Sequence, residues 1–142
     1  MFLTPIFFFP RYIIPDFTGK TVGLIGFGEI GRLVAKKLSG FDVNILVFDP
    51  YYKGDDIKTV DLDTLMSESD FVSLHARLTK ENEHMIGARE LSLMKPTAYI
   101  INTSRSGLID EGALYAVLKE GKIAGAALDV FNVEPPAIDY PL

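Results

Sequence analysis

An α/β fold, with a doubly wound parallel sheet in a single domain, is what this 142-residue sequence predicts, and three observations carry the prediction. The β-branched run Thr21-Val22-Gly23-Leu24-Ile25 opens directly into Gly26-Phe27-Gly28-Glu29-Ile30-Gly31, and a helical pattern follows. An acidic residue, Asp49, closes the next apolar run, 44–48. Beyond it, short apolar runs alternate with helical segments, the pattern of parallel strands joined by crossover helices. Strand, glycine turn, helix, strand and acid in that order make a Rossmann-like arrangement.

The elements follow in chain order. Residues 21–25 form the first strand, and 29–39 a helix with Ile30, Leu33, Val34 and Leu38 at helical spacing and Gly40 where a C-cap belongs. The second strand is 44–48, and 58–60 is a short strand candidate. Asp61 caps a helix over 62–68, and 71–74 reads as a buried strand ending at His75. A helix over 88–94 stops before Pro96, and 98–102 is the next strand. A Thr-Ser-Arg-Ser-Gly turn follows, then a helix to Glu120 capped by Asp110, and a last strand over 123–130. No internal repeat or linker interrupts the series, so residues 16–142 read as one domain.

The glycine turn has the chemistry of a dinucleotide site. Gly26 permits the tight turn, Gly28 lets backbone approach a pyrophosphate, and Gly31 lets helix and strand pack closely. The anion then meets free N–H groups at a helix N-terminus. Glu29 suits the helix dipole with its side chain toward water, and Arg32 offsets its charge. From the end of its strand, Asp49 can accept both ribose hydroxyls of an adenosine, and its charge opposes a 2′-phosphate. NAD is therefore favoured over NADP, with Lys53 as the one nearby cation that argues otherwise.

Ligands in such sheets bind at the carboxyl ends of the strands, which directs attention to 75–77, 102–105 and 129–134. Arg105 can present a planar fork to a substrate carboxylate, the alternative being a solvated surface arginine. Asp129 and Glu134 can tune a base or grip an amide, the alternative being ordinary loop acids.

Composition narrows the function further. With 48% hydrophobic and 23% charged residues the chain is globular, and a net charge of −5 argues against nucleic-acid and anionic-membrane partners. There is no cysteine, hence no disulfide, thiol nucleophile or thiolate metal site. His75 and His84 lack the partners of a zinc site, so no metal is expected. A cytoplasmic location fits. Residues 1–15 form an atypical apolar, aromatic segment broken by proline, too short to span a membrane and without the basic start of a signal peptide.

From about Asp16 to Pro135 the chain resembles the D-isomer-specific 2-hydroxyacid dehydrogenases, the phosphoglycerate dehydrogenase-like group. The resemblance rests on Phe17-Thr18-Gly19-Lys20-Thr21-Val22-Gly23-Leu24-Ile25-Gly26, on Met94-Lys95-Pro96 leading to Asn102-Thr103-Ser104-Arg105, on Gly107-Leu108-Ile109-Asp110-Glu111, and on Leu128-Asp129-Val130-Phe131 leading to Glu134-Pro135. It implies hydride transfer between NAD(H) and a small 2-hydroxy or 2-oxo acid. It also implies catalytic roles for Arg105, on the substrate carboxylate and keto oxygen, and for Glu134, which would hydrogen-bond a proton-donating histidine. By the same resemblance Glu29 and Ile30 belong to the pyrophosphate turn, Asp49 to the adenosine ribose, and Ala76 to the strand-end backbone. Thr103, Ser104 and Arg105 fall on the nicotinamide side, and Asp129 contacts the carboxamide.

Four departures set expectations. No histidine follows His84, so the family's proton donor is missing and turnover by this chain alone should be impaired. The substrate-binding domain is expected to be absent. Arg77 replaces the usual proline of a His-x-Pro-Leu-Thr stretch, and Ser106 replaces the glycine after the motif arginine, which puts backbone freedom there in question. An alternative reading is a non-catalytic NAD-responsive interaction module, which would couple dinucleotide binding to assembly as a homodimer. A truncated product with no role of its own would instead aggregate through its exposed apolar surface.

Overall fold

The structure is a computed structural model that describes residues 17–137 and 139–142. The atypical segment 1–15 therefore lies outside the described residues. Five strands, β1 (Thr21–Ile25), β2 (Asn44–Phe48), β3 (Phe71–Leu74), β4 (Tyr99–Asn102) and β5 (Gly125–Leu128), pair in the order β2-β1-β3-β4-β5 with every neighbour parallel. Four helices connect them: α1 (Glu29–Leu38), α2 (Leu62–Glu68), α3 (Ala88–Leu93) and α4 (Glu111–Lys119). This is the predicted Rossmann-like α/β sheet. The chain runs from β1 outward to β2, then returns to the other side of β1 as β3. The carboxyl ends of β1 and β3 therefore flank the crevice where such sheets bind ligands.

The alternation along β1 separates two apolar layers. Val22 and Leu24 join Phe27, Ala35 and Val47 on one face, while Ile25 joins Leu65, Met66, Val72, Leu74 and Ile100 on the other. Gly23 marks where α2 comes closest, since a Cβ there would meet Ser69 Oγ at 2.3 Å and Leu65 Cδ2 at 2.6 Å. Local chemistry sets the helix starts. The Asp61 carboxylate accepts the Thr64 N–H at 2.7 Å, and that of Asp110 accepts the Ala113 N–H at 3.1 Å.

Several elements differ from expectation for identifiable reasons. Helix α1 ends at Leu38, a tight turn over Ser39–Phe41 follows, and Asp42 rather than Gly40 takes the left-handed conformation (φ 54°). Its inward row is Gly31, Ala35, Val34 and Leu38, whereas Ile30 and Leu33 are 65% and 50% exposed. The close approach of Gly31 to the glycine turn fixes which face of α1 points inward, and that choice turns Ile30 and Leu33 outward. The 98–102 and 123–130 strands shorten to Tyr99–Asn102 and Gly125–Leu128: β4 begins where its ladder with β3 begins, at Tyr99 opposite Phe71, and edge strand β5 pairs only with β4 and extends no further than it does. The 58–60 candidate reduces to one bridge between Thr59 and Val47, and helix 88–94 stops at Leu93. Ser106 opens a short turn over Ser106–Leu108 without a left-handed backbone, so replacing glycine there causes no strain.

Candidate functional site

The first wall of the site is the turn between β1 and α1. Gly26 has φ +93°, and a Cβ on it would lie 2.6 Å from the Ala76 amide nitrogen, so glycine is required both for the turn and for room beside the end of β3. A Cβ on Gly31 would sit 2.3 Å from the Gly26 carbonyl oxygen. At Gly28, by contrast, nothing lies within 4 Å. Two glycines thus allow backbone to meet backbone, and the third leaves a cradle that a side chain would fill. Gly28 is the N-cap of α1 and supplies no side-chain cap, so the first-turn N–H groups face solvent beside it. Glu29 and Ile30 on that turn are exposed.

Asp49 forms the second wall. Its Oδ2 accepts the Phe27 N–H at 2.7 Å and its Oδ1 accepts the Tyr51 N–H at 2.8 Å. One carboxylate therefore ties the glycine turn to the loop after β2, held in orientation by two backbone donors. A carboxylate has about four acceptor positions, so roughly two remain for a ligand's hydroxyls. Beside it lies a cavity of about 550 Å³ whose lining includes Phe27, Arg32, Asp49, Tyr52, Lys53 and Asp56. The sequence left Lys53 as the one nearby cation, but the fold adds Arg32. Arg32 Nε donates to the Phe27 carbonyl at 3.2 Å, and its guanidinium lies 5.7 Å and 5.3 Å from the Phe27 and Tyr52 ring centres.

The third wall gathers the ends of β3 and β4. Asn102 is only 1% exposed; its side chain donates to the Arg105 carbonyl at 2.9 Å and accepts the Ser104 N–H at 3.0 Å. Ser104 Oγ donates to the Ala76 carbonyl at 2.6 Å, joining the two strand ends. Arg105 is exposed, with Nη1 on the Ser104 carbonyl at 2.7 Å, and Thr103 is exposed next to it. Asn102 is thus the hub that folds the 103–105 turn. Its apolar strand context was the available signal, because an amide ending a buried run needs partners.

Asp129 extends the sheet beyond β5, its N–H donating to the Asn102 carbonyl at 3.0 Å, and its side chain is exposed. Further along, Glu134 Oε1 accepts the Phe131 N–H at 3.1 Å. Glu111, at the start of α4, holds this loop in place: its Oε1 accepts the Asn132 N–H at 3.0 Å and its other oxygen accepts the Tyr140 hydroxyl. Burial and that carboxylate push the Tyr140 phenol well above its ordinary range. Nothing in the local sequence around Glu111 points to this contact beyond the motif it belongs to.

The two histidines sit apart from one another in character. His75 is half-buried, its Nε2 lies 3.0 Å from Ser73 Oγ, and burial lowers its imidazole pKa. His84 is exposed, with a left-handed backbone and its N–H on the Gly107 carbonyl at 2.7 Å. Among the described residues no group of three or more His, Asp or Glu side chains could hold a metal ion, and no helix is long and apolar enough to cross a membrane.

A parallel sheet with a glycine turn at its switch point and an acid at the end of the adjacent strand β2 defines the class: a dinucleotide-binding α/β domain. A family model described as "D-isomer specific 2-hydroxyacid dehydrogenase, NAD binding domain" matches residues 9–142, and the chain belongs to that family through this domain. The glyoxylate reductase of Thermofilum pendens is 51% identical over 135 residues, covering 90% of this chain and 40% of that protein. Among solved structures, the NAD-complexed D-isomer specific 2-hydroxyacid dehydrogenase of Lactobacillus delbrueckii ssp. bulgaricus gives a TM-score of 0.78 at 40% identity, covering 85% of this chain and 38% of that one. An acyclic imino acid reductase in complex with NADPH and D-arginine gives 0.85 at 37% identity, covering 96% and 45%. The chain spans less than half the length of each of these relatives.

Proposed function

We propose that residues 16–142 are the cofactor-binding domain of an NAD-dependent oxidoreductase that interconverts a small 2-hydroxy acid and its 2-oxo acid. The observation that carries this reading is the Asp49 carboxylate, oriented by the Phe27 and Tyr51 N–H groups beside the Gly28 cradle. Gly26, Gly28, Glu29, Ile30 and Gly31 would receive the pyrophosphate, and Asp49 the adenosine ribose. Ala76, Thr103, Ser104, Arg105 and Asp129 would border the nicotinamide half. Bound NAD(H) supplies the hydride acceptor or donor.

The chain's own residues supply binding and charge. Arg105 grips the substrate carboxylate and polarises the keto oxygen, a planar fork suiting both tasks. Its backbone is held by Asn102, and Ser104 ties the same turn to the Ala76 carbonyl. Glu134 supports the protonated form of a proton-donating histidine. Neither His75, half-buried against Ser73, nor exposed His84 is arranged for that donation, so the 142-residue chain by itself binds cofactor and turns over slowly. The protein works in the cytoplasm on a small acid, with no nucleic-acid partner, consistent with its net charge of −5.

The test combines binding with turnover. The chain has no tryptophan, so the nicotinamide's own fluorescence reports NADH binding cleanly. Saturable NADH binding that Asp49→Ala weakens at least tenfold, with slow NADH consumption in the presence of glyoxylate, is the expected result. Binding indifferent to Asp49 would overturn the cofactor assignment. Fast turnover would overturn the account of the proton donor.

A further inference from the structure

The cavity beside Asp49 holds two cations and two anions, and they are not equally engaged. Both Asp49 oxygens accept backbone N–H groups, and Asp56 accepts the Tyr52 hydroxyl. Arg32 spends only Nε, on the Phe27 carbonyl, and its Nη fork has no hydrogen-bond partner among the described residues. A free arginine fork on a surface is ordinarily mobile, but this one is held in place. The guanidinium lies against both the Phe27 and Tyr52 rings, which themselves meet edge to face at 5.0 Å. The Asp56 carboxylate on the Tyr52 hydroxyl anchors that ring and enriches its face, strengthening its attraction for a cation. The result is an oriented, unspent donor pair in the wall of the pocket that also contains the ribose-reading acid. Lys53 in the same wall is a flexible point charge without such support.

We propose that Arg32 is a second determinant of cofactor choice, a phosphate ligand that gives the pocket measurable affinity for a dinucleotide phosphorylated on its adenosine ribose. This rests on the reading of the cavity as the adenosine site. Asp49 favours the unphosphorylated ribose, and Arg32 limits how strongly the phosphorylated one is rejected, because a fixed guanidinium offers a group of roughly −1.5 to −2 charge two parallel N–H donors. Cofactor preference is then a balance of two opposite charges lining one pocket rather than the property of a single acid.

The experiment is a double-mutant cycle on the full 142-residue chain, titrating NADH and NADPH separately and checking each variant's fold by circular dichroism. Wild type is expected to bind NADPH more weakly than NADH but measurably. Arg32→Gln should weaken NADPH a further fivefold or more while moving NADH less than twofold, and Arg32→Lys should fall between. Asp49→Ser should narrow the gap between the cofactors, and adding Arg32→Gln should reopen it. If Arg32→Gln weakens both cofactors by the same factor, Arg32 is only structural and the proposal fails. It fails equally if the gain from Asp49→Ser survives loss of Arg32, which would assign the phosphate to Lys53. A folded wild type that binds neither cofactor overturns the underlying adenosine-site reading instead.

Discussion

Replacing Gly31 by alanine adds one methyl group at the tightest backbone crossing of the site. The new Cβ would lie 2.3 Å from the Gly26 carbonyl oxygen, and that neighbour is backbone with no flexible end to move aside. Restoring ordinary contact requires the start of α1 to shift by roughly 1 Å from the glycine turn, a distortion of the overpacking kind that costs about 1–3 kcal/mol. The same shift moves Gly28 and the uncapped first-turn N–H groups away from the turn, so cofactor affinity falls along with stability. Gly28→Ala is the matched control. With nothing within 4 Å of its Cβ, it should leave the unliganded fold nearly as stable while filling the cradle and weakening NADH binding. Urea unfolding followed by circular dichroism, paired with NADH titration, separates the two effects. If Gly31→Ala unfolds at the wild-type urea midpoint, the close crossing does not exist as described. If Gly28→Ala binds NADH as wild type does, the pyrophosphate does not approach there.

Three further outcomes follow from the same geometry. Asp49→Asn leaves one oxygen to face two N–H donors and sets its amide against the other, so NADH affinity should drop roughly 10- to 150-fold, about 1.5–3 kcal/mol, in a fluorescence titration. Ser104→Ala removes the bond to the Ala76 carbonyl and should cost about 1 kcal/mol in urea unfolding, with faster amide hydrogen exchange in the 103–105 turn. Burial pushes the Asp70 carboxyl upward, but the Thr21 N–H and the Lys95 ammonium outweigh it and hold it below the ordinary carboxylate value. Its contribution to stability is therefore complete above the unfolded value of about 3.9 and is lost as pH falls through the lower folded value. Asp70→Asn should accordingly be less stable than wild type at pH 7, with the difference shrinking as the solution is acidified.

The limits of the first strands and the glycine turn were legible in the sequence because each depends on local pattern. β1, β2, α2 and β3 have the predicted limits, set by β-branched runs, by the Asp61 cap and by the parallel ladder they enter. The start of β4 and both ends of β5 were not legible, since a strand extends only as far as the neighbours it pairs with and that depends on distant residues. The inward face of α1 was only partly legible: Gly31 was read as the point of close packing, but the apolar spacing did not separate inward from outward residues. Ile30 and Leu33 share the helical spacing of Val34 and Leu38 yet face outward, because the helix orients by the crossing of Gly31 and Gly26. Arg32 shows the same limit within the candidate site. Its neighbours Phe27 and Tyr52 are separated in sequence by the whole of α1 and β2, and only the sheet brings both rings under its guanidinium. Glu111 likewise reaches Asn132 across α4 and β5, a contact no local motif announces.

If the glycine turn and Asp49 together form a working dinucleotide site, this chain takes up NADH on its own. Isothermal titration of NADH into the purified 142-residue protein tests it most directly. Saturable binding of one NADH per chain, weakened by Gly28→Ala without loss of fold, is the predicted result. A folded chain that takes up no NADH at millimolar concentration would contradict it.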